Sequence, residues 1–208
     1  LNSFKDSIND IVSLNTPINT DELLSSTETL IEQSKNSSFS TMDMIQNMRQ
    51  YDDLTFAHSM NVALISNVFA GWLKMSKEDT ELLTLCGLLH DIGKLKIPDQ
   101  LIKKPDKLSD EEYRKVKTHT VEGYHILQAQ NVNVHIQNAA LMHHEKCDGS
   151  GYPLKLPGDK IDSYAKLVAI ADVYDAMTAN RCYREGLCPF DVIASLEDMA
   201  DGFHPYFL

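Results

Sequence analysis

A leucine-rich stretch that ends in His90-Asp91 constrains this chain more than any other feature. Leu82, Leu83, Leu85, Leu88 and Leu89 fall on nearly every side of a helix, not along one stripe. A helix that is apolar all round belongs inside other elements. Ser76 precedes it with Asp79 three residues on, the S-x-x-[DE] pattern of a helix start, and Gly93 is placed to stop it. Strand-like alternation is scarce and no repeat stands out, so the expected architecture is an all-α bundle. Three more helices are expected downstream of residue 50. One spans about 55–73 and contains His58. One spans about 134–145 and ends in His143-His144. One spans 163–179 and sets Asp172 among Leu167, Ile170, Ala171 and Val173. Proline-containing loops at 97–108 and 148–157 join them. Upstream, residues 1–32 give two short amphipathic stretches broken around Thr16-Pro17, and residues 33–41 are polar and Ser-rich, a loop or linker. Residues 1–40 are thus expected to form a helical extension or linker, and residues 41–208 the main domain.

The chain has 208 residues, 43% of them apolar, enough for one core with an appendage. No apolar run approaches the roughly 18 residues that cross a bilayer, and no signal peptide is visible. The first residue is Leu1, not Met, which reads as a fragment of a longer protein, and the end at Leu208 reads as a truncated C-terminus. A net charge of −11 argues against a nucleic-acid polymer as partner, because such binders carry a basic footprint. A small phosphate ligand needs only a local positive site, which metals provide. Cys86, Cys147, Cys182 and Cys188 form no CxxC pair and no disulfide framework. Free thiols point to a reducing cytoplasm.

The chemistry lies in where the polar residues sit. His90, Asp91, His143, His144 and Asp172 each interrupt or end an apolar helix. An ionised aspartate is costly to bury without a partner, and a metal is one of the few partners that offsets the cost. Imidazole together with carboxylate suits zinc, iron or manganese. Taken singly, each of these residues also fits a helix cap or a hydrogen-bonded core histidine. As a set they point to a metal site.

The strings His90-Asp91-Ile92-Gly93-Lys94, His143-His144-Glu145 and Asp148-Gly149-Ser150-Gly151-Tyr152-Pro153 resemble the HD-GYP subgroup of HD-domain hydrolases. The likeness extends through IPDQLIKKPDKLSDEEY, Lys117-Thr118-His119, ADVYDAMT and Arg181-Cys182-Tyr183-Arg184, from about Gln50 to the end. It implies an HD-domain helical bundle holding two divalent metal ions, iron or manganese foremost. One ion would be held by His58, His90, Asp91 and Asp172, the other by Asp91, His119, His143 and His144. Asp91 would bridge, since a carboxylate has two oxygens to share whereas a neutral imidazole has one lone pair. Two such cations lower the pKa of a bridging water and neutralise charge on the phosphoryl oxygens, so in-line attack expels a ribose 3′-oxygen. Lys94 would meet a phosphate oxygen as a point charge. Arg181 and Arg184 match arginines that approach the nucleotide phosphates. Tyr152 would line the pocket mouth or contact a partner domain.

The substrate implied by the resemblance is cyclic di-GMP, opened to linear pGpG, with onward hydrolysis to GMP left open. Another cyclic dinucleotide such as cyclic GMP-AMP, or a non-catalytic sensor role, are the alternatives. The GYP segment argues against a general hydrolase of nucleotide triphosphates or alarmones. A sensor or diguanylate cyclase domain and a second copy of the chain stay open as partners. Some members carry a glutamate four residues before the first histidine, supporting a third metal. Here that position is Leu54, with Asp52 and Asp53 out of register, so two ions are expected. Cys147 and Cys182 stand where many relatives carry a bulky residue and a proline. His125, His135 and His204 match no ligand position and are expected to be structural or exposed.

Overall fold

The computed structural model describes residues 2–14, 16–36, 54–179, 186–198 and 202–203. The elements in chain order are α1 (Asn2–Leu14), α2 (Thr20–Asn36), α3 (Leu54–Trp72), α4 (Lys77–Leu89) and a 3-10 turn (Ile92–Lys96). There follow α5 (Asp99–Ile102), α6 (Asp110–Lys117), α7 (His119–Ala129), α8 (Val134–Met142), a second 3-10 turn (Gly158–Lys160), α9 (Ser163–Thr178) and α10 (Pro189–Asp198). Among the described residues there is no strand, only an isolated antiparallel bridge between Asp148 and Pro157, so the all-α expectation holds.

The leucine-rich helix is inside, as its pattern requires. All residues of α4 from Leu83 to Leu89 are buried, and the helix packs on α3, α8 and α9. Asp79 N donates to the Ser76 hydroxyl at 3.1 Å, which satisfies one of the orphan donors of the first turn. The reciprocal half of the box is missing. The Asp79 carboxylate instead accepts from the Ser76 hydroxyl at 3.0 Å and from the Tyr164 hydroxyl at 2.7 Å, which ties α4 to α9. A complete capping box opens α6, between Ser109 and Glu112.

Gly93 does not stop α4, which already ends at Leu89. It sits within the 3-10 turn, where a Cβ would lie 1.9 Å from the His119 carbonyl oxygen and 2.4 Å from Gly123 N. A side chain there would clash with backbone, so glycine is required for the turn to lie against α7. That contact brings His119 next to the HD pair.

Residues 33–36, expected in a linker, continue α2. The expected domain boundary near residue 40 lies outside the described residues. Ile8, Ile11, Leu23 and Ile31 of α1 and α2 belong to the same apolar cluster as Leu83, Leu89 and Ile170. No helix among the described residues is long and apolar enough to cross a membrane.

Candidate metal centre

Asp91 follows the buried end of α4 and is 3% exposed. Its two carboxylate oxygens face opposite ways. Oδ2 lies 3.2 Å from His90 Nε2 and 3.6 Å from His58 Nε2. Oδ1 lies 3.4 Å from His119 Nε2 and 3.7 Å from His143 Nε2. His58, His90 and Asp172 bring their ligand atoms within 4.8 Å of one another, and so do His119, His143 and His144; His144 Nδ1 also lies 3.9 Å from Asp172 Oδ2. All seven residues singled out in the sequence therefore meet in one place. They come from α3, the end of α4, the start of α7, the end of α8 and α9.

The helices also aim the rings. His90 Nδ1 lies 2.7 Å from the Gly87 carbonyl, His119 Nδ1 2.7 Å from the Val116 carbonyl, and His143 Nδ1 2.9 Å from the Ala139 carbonyl. A carbonyl only accepts, so each Nδ1 carries the proton and each Nε2 turns a lone pair toward Asp91. His58 Nδ1 is held instead by Asp175 Oδ2 at 2.7 Å, while Nε2 lies 3.0 Å from Asp172 Oδ1. A ring fixed through one nitrogen presents the other in a set direction, which is how ligating imidazoles are usually oriented. His90 Nε2 and Asp91 Oδ1 are buried without a hydrogen-bond partner. Buried polar atoms are costly unless satisfied, and a divalent cation satisfies this donor set.

Two residues missed in the sequence complete the arrangement. Asp175 is buried, one turn beyond Asp172 on α9, and its second oxygen accepts from Asn61 Nδ2 at 3.1 Å. Its spacing of three from Asp172 was the available signal, because such residues share a helix face. Glu145 is buried, and its carboxylate accepts from the backbone N–H groups of Leu154 at 2.5 Å, Lys155 at 3.0 Å and Leu156 at 3.0 Å. It thereby pins the loop that carries Tyr152. Gly151 permits the return of this loop, since a Cβ would lie 2.4 Å from Lys146 N.

Lys94 places its ammonium against Asp91 Oδ2, at the partly exposed edge of the cluster. Tyr152 lies against His144 with ring centroids 4.8 Å apart, so it borders the cluster. Arg181, Arg184, Cys182, Asp52 and Asp53 lie outside the described residues, as does His204. Leu54 is the first residue of α3. His135 pairs with Asp162 at 2.7 Å, away from the centre. Cys147 lines the packing of Gly158, and its N–H donates to the Gly202 carbonyl at 3.0 Å.

Electrostatics separate the two sides. Burial alone would lower the pKa of His58, but hydrogen bonds to Asp172 and Asp175 lift it to about 9. Burial drives His119 and His143 down and takes His144 to about 4. Burial opposes ionisation of Asp91, yet Lys94, His90 and His119 hold its carboxyl well below the usual range. His58 does the same for Asp172, again against burial.

The curated relatives share this segment. The chain is 34% identical over 159 residues to the cyclic di-GMP phosphodiesterase PA4108 of Pseudomonas aeruginosa, an overlap of 76% of this chain and 38% of that protein. It is 41% identical over 130 residues to the 3'3'-cGAMP-specific phosphodiesterase 1 of Vibrio cholerae, covering 62% of this chain and 30% of that protein. The chain thus spans well under half the length of these relatives. Among solved structures, Bd1817, an HDG"Y"P protein from Bdellovibrio bacteriovorus, shares the fold with a TM-score of 0.78 at 22% identity, over 99% of this chain and 66% of that one. The model of the HD domain family matches residues 20–205. A helical bundle with a buried His-Asp pair at its centre and a family match across nearly its whole length make this chain a member of the HD domain family.

Proposed function

We propose that the chain is a metal-dependent phosphodiesterase of the HD-GYP subgroup that opens cyclic di-GMP to linear pGpG. The observation that carries this reading is the division of Asp91, one oxygen toward each of two ligand triads. His58, His90, Asp91 and Asp172 would hold one divalent ion, and Asp91, His119, His143 and His144 a second, with iron or manganese the best match to this donor set. Bound there, such ions supply an activated water and neutralise phosphoryl charge. The remaining work falls to the chain. Lys94, already at Asp91 Oδ2, is placed to meet a non-bridging oxygen of the reacting phosphate. Tyr152, against His144, would line the mouth of the site, and Arg181 with Arg184 would hold the nucleotide phosphates. All seven ligand positions and Lys94 are kept, which favours turnover over passive sensing. The free thiols of Cys86, Cys147 and Cys188 fit a reducing cytoplasm.

A second substrate, 3'3'-cyclic GMP-AMP, is favoured by one observation: the Vibrio cholerae relative carrying that specificity in its name is 41% identical. The test is product analysis of Mn²⁺- or Fe²⁺-loaded protein on cyclic di-GMP, 3'3'-cyclic GMP-AMP and cyclic di-AMP. Linear pGpG as the fastest product supports the reading. Faster cleavage of cyclic GMP-AMP shifts the substrate, and no cleavage of any of the three rejects the enzymatic reading.

A further inference from the structure

A cyclic dinucleotide carries two phosphates: the metal centre with Lys94 takes the one being cleaved, and Arg181 with Arg184, outside the described residues, are the cations so far assigned to the nucleotide phosphates. A further cation stands beside Tyr152, the ring that borders the cluster. Lys117, in the last turn of α6, lies two residues before His119. Its ammonium sits 4.9 Å from the ring centroid of Tyr113 and 5.4 Å from that of Tyr152. Tyr152 in turn lies against His144, so a single aromatic ring separates Lys117 from the metal centre. Lys117 makes no ion pair with a carboxylate among the described residues, in a chain with 30 acidic and 19 basic residues. Lys103 and Lys104, earlier in the same region, are paired with Asp99 and Glu112.

The support around Lys117 is fixed. Glu145 pins the backbone just after Tyr152 through three N–H groups, and Tyr152 N donates to the His144 carbonyl at 3.1 Å. Tyr113 is about half exposed, at 47%, so the ammonium is flanked by rings without being closed off. Aromatic faces hold a cation in place but supply no anion, and a lysine ammonium keeps donors for a phosphate oxygen.

We propose that Lys117, held between Tyr113 and Tyr152, binds the second phosphate of the cyclic dinucleotide, the one that is not cleaved. This subsite rests on the cyclic-dinucleotide reading above. It separates substrates with two phosphates from those with one.

The test uses metal-loaded protein and the Lys117→Met variant, which keeps the stem and removes the charge. Cyclic di-GMP is the two-phosphate probe and bis(p-nitrophenyl) phosphate the one-phosphate probe. Loss of one charge-assisted contact should raise KM for cyclic di-GMP about tenfold or more, with kcat unchanged and hydrolysis of the one-phosphate probe unchanged. Lys117→Arg should recover most of the KM. Calorimetric titration of cyclic di-GMP should show the same tenfold weakening of Kd in Lys117→Met. Unchanged KM and Kd overturn the subsite. An equal loss on both probes also overturns it, because Lys117 would then serve the reacting phosphate or the fold. If wild type cleaves only the one-phosphate probe, the cyclic-dinucleotide substrate assignment fails while phosphodiester hydrolysis itself stands. The subsite then survives only if cyclic di-GMP still binds and Lys117→Met still weakens it.

Discussion

The two halves of the centre share Asp91 and differ in almost everything else. On the His58 side, two carboxylates, Asp172 and Asp175, press on one imidazole and lift its pKa to about 9. On the His144 side, His119 and His143 are buried and His144, half-buried, has Asp172 Oδ2 3.9 Å from its Nδ1; burial still outweighs the carboxylates and takes His144 to about 4. Without metal, the first side therefore carries a proton at neutral pH and the second does not. Equal numbers of ligands do not make equal sites. A cation entering the His58 side would displace a proton, whereas one entering the His144 side would meet free lone pairs.

The largest effect should come from removing what the halves share. Asp91→Ala should bring cyclic dinucleotide hydrolysis to background and deplete both ions, read by elemental analysis. Retention of two ions per chain would remove Asp91 from its bridging role. Lys94→Ala comes next. It should lower kcat about 10²–10³-fold, the usual cost of one lost transition-state contact, with metal content unchanged. An unchanged kcat would return Lys94 to a surface residue that merely neutralises Asp91.

Asp175→Asn acts on one half alone. It should weaken metal affinity on the His58 side about 10–100-fold, the range for a lost orienting partner, and leave the His144 side intact. Equal weakening of both would mean that the halves are not independent. The smallest effect is in protons. Mn²⁺ binding at pH 7.5 should release about one proton, seen as buffer-dependent enthalpy, and His58→Ala should abolish it. The same shifts set the stability of metal-free protein. The contribution of His58 is fully present below its ordinary 6.5 and is lost as pH rises through about 9. His144 is held neutral, so its contribution is present above 6.5 and lost as pH falls toward about 4. Thermal melts of chelator-treated protein should therefore show the highest Tm near neutral pH. A Tm that rises steadily from pH 6.5 to 9 would contradict the His58 assignment.

Much of this centre was legible because its residues break a rule. Charged and ring-bearing polar groups at the ends of apolar helices stand out against the 3.6-residue period, and His90, Asp91, His143, His144 and Asp172 were visible on that ground. His58 and His119 were not; only the resemblance placed them. Asp175 and Glu145 stayed silent because their work is to hold other groups, and a carboxylate that accepts backbone N–H bonds looks in sequence like any acidic residue. The orientation of the rings was also hidden. It depends on carbonyls three and four residues back, which every helix has. The need for glycine at position 93 is hidden for the same reason, since it comes from His119 and Gly123 of α7, distant in the chain.

The central claim is that Asp91 divides its two oxygens between two metal positions. Crystals of metal-loaded protein, measured above and below the iron and manganese edges, test it directly. Two anomalous peaks are predicted, one touching Asp91 Oδ2 with His58, His90 and Asp172, the other touching Asp91 Oδ1 with His119, His143 and His144. A single peak, or a third well-occupied peak held by Asp52 or Asp53, would contradict the account.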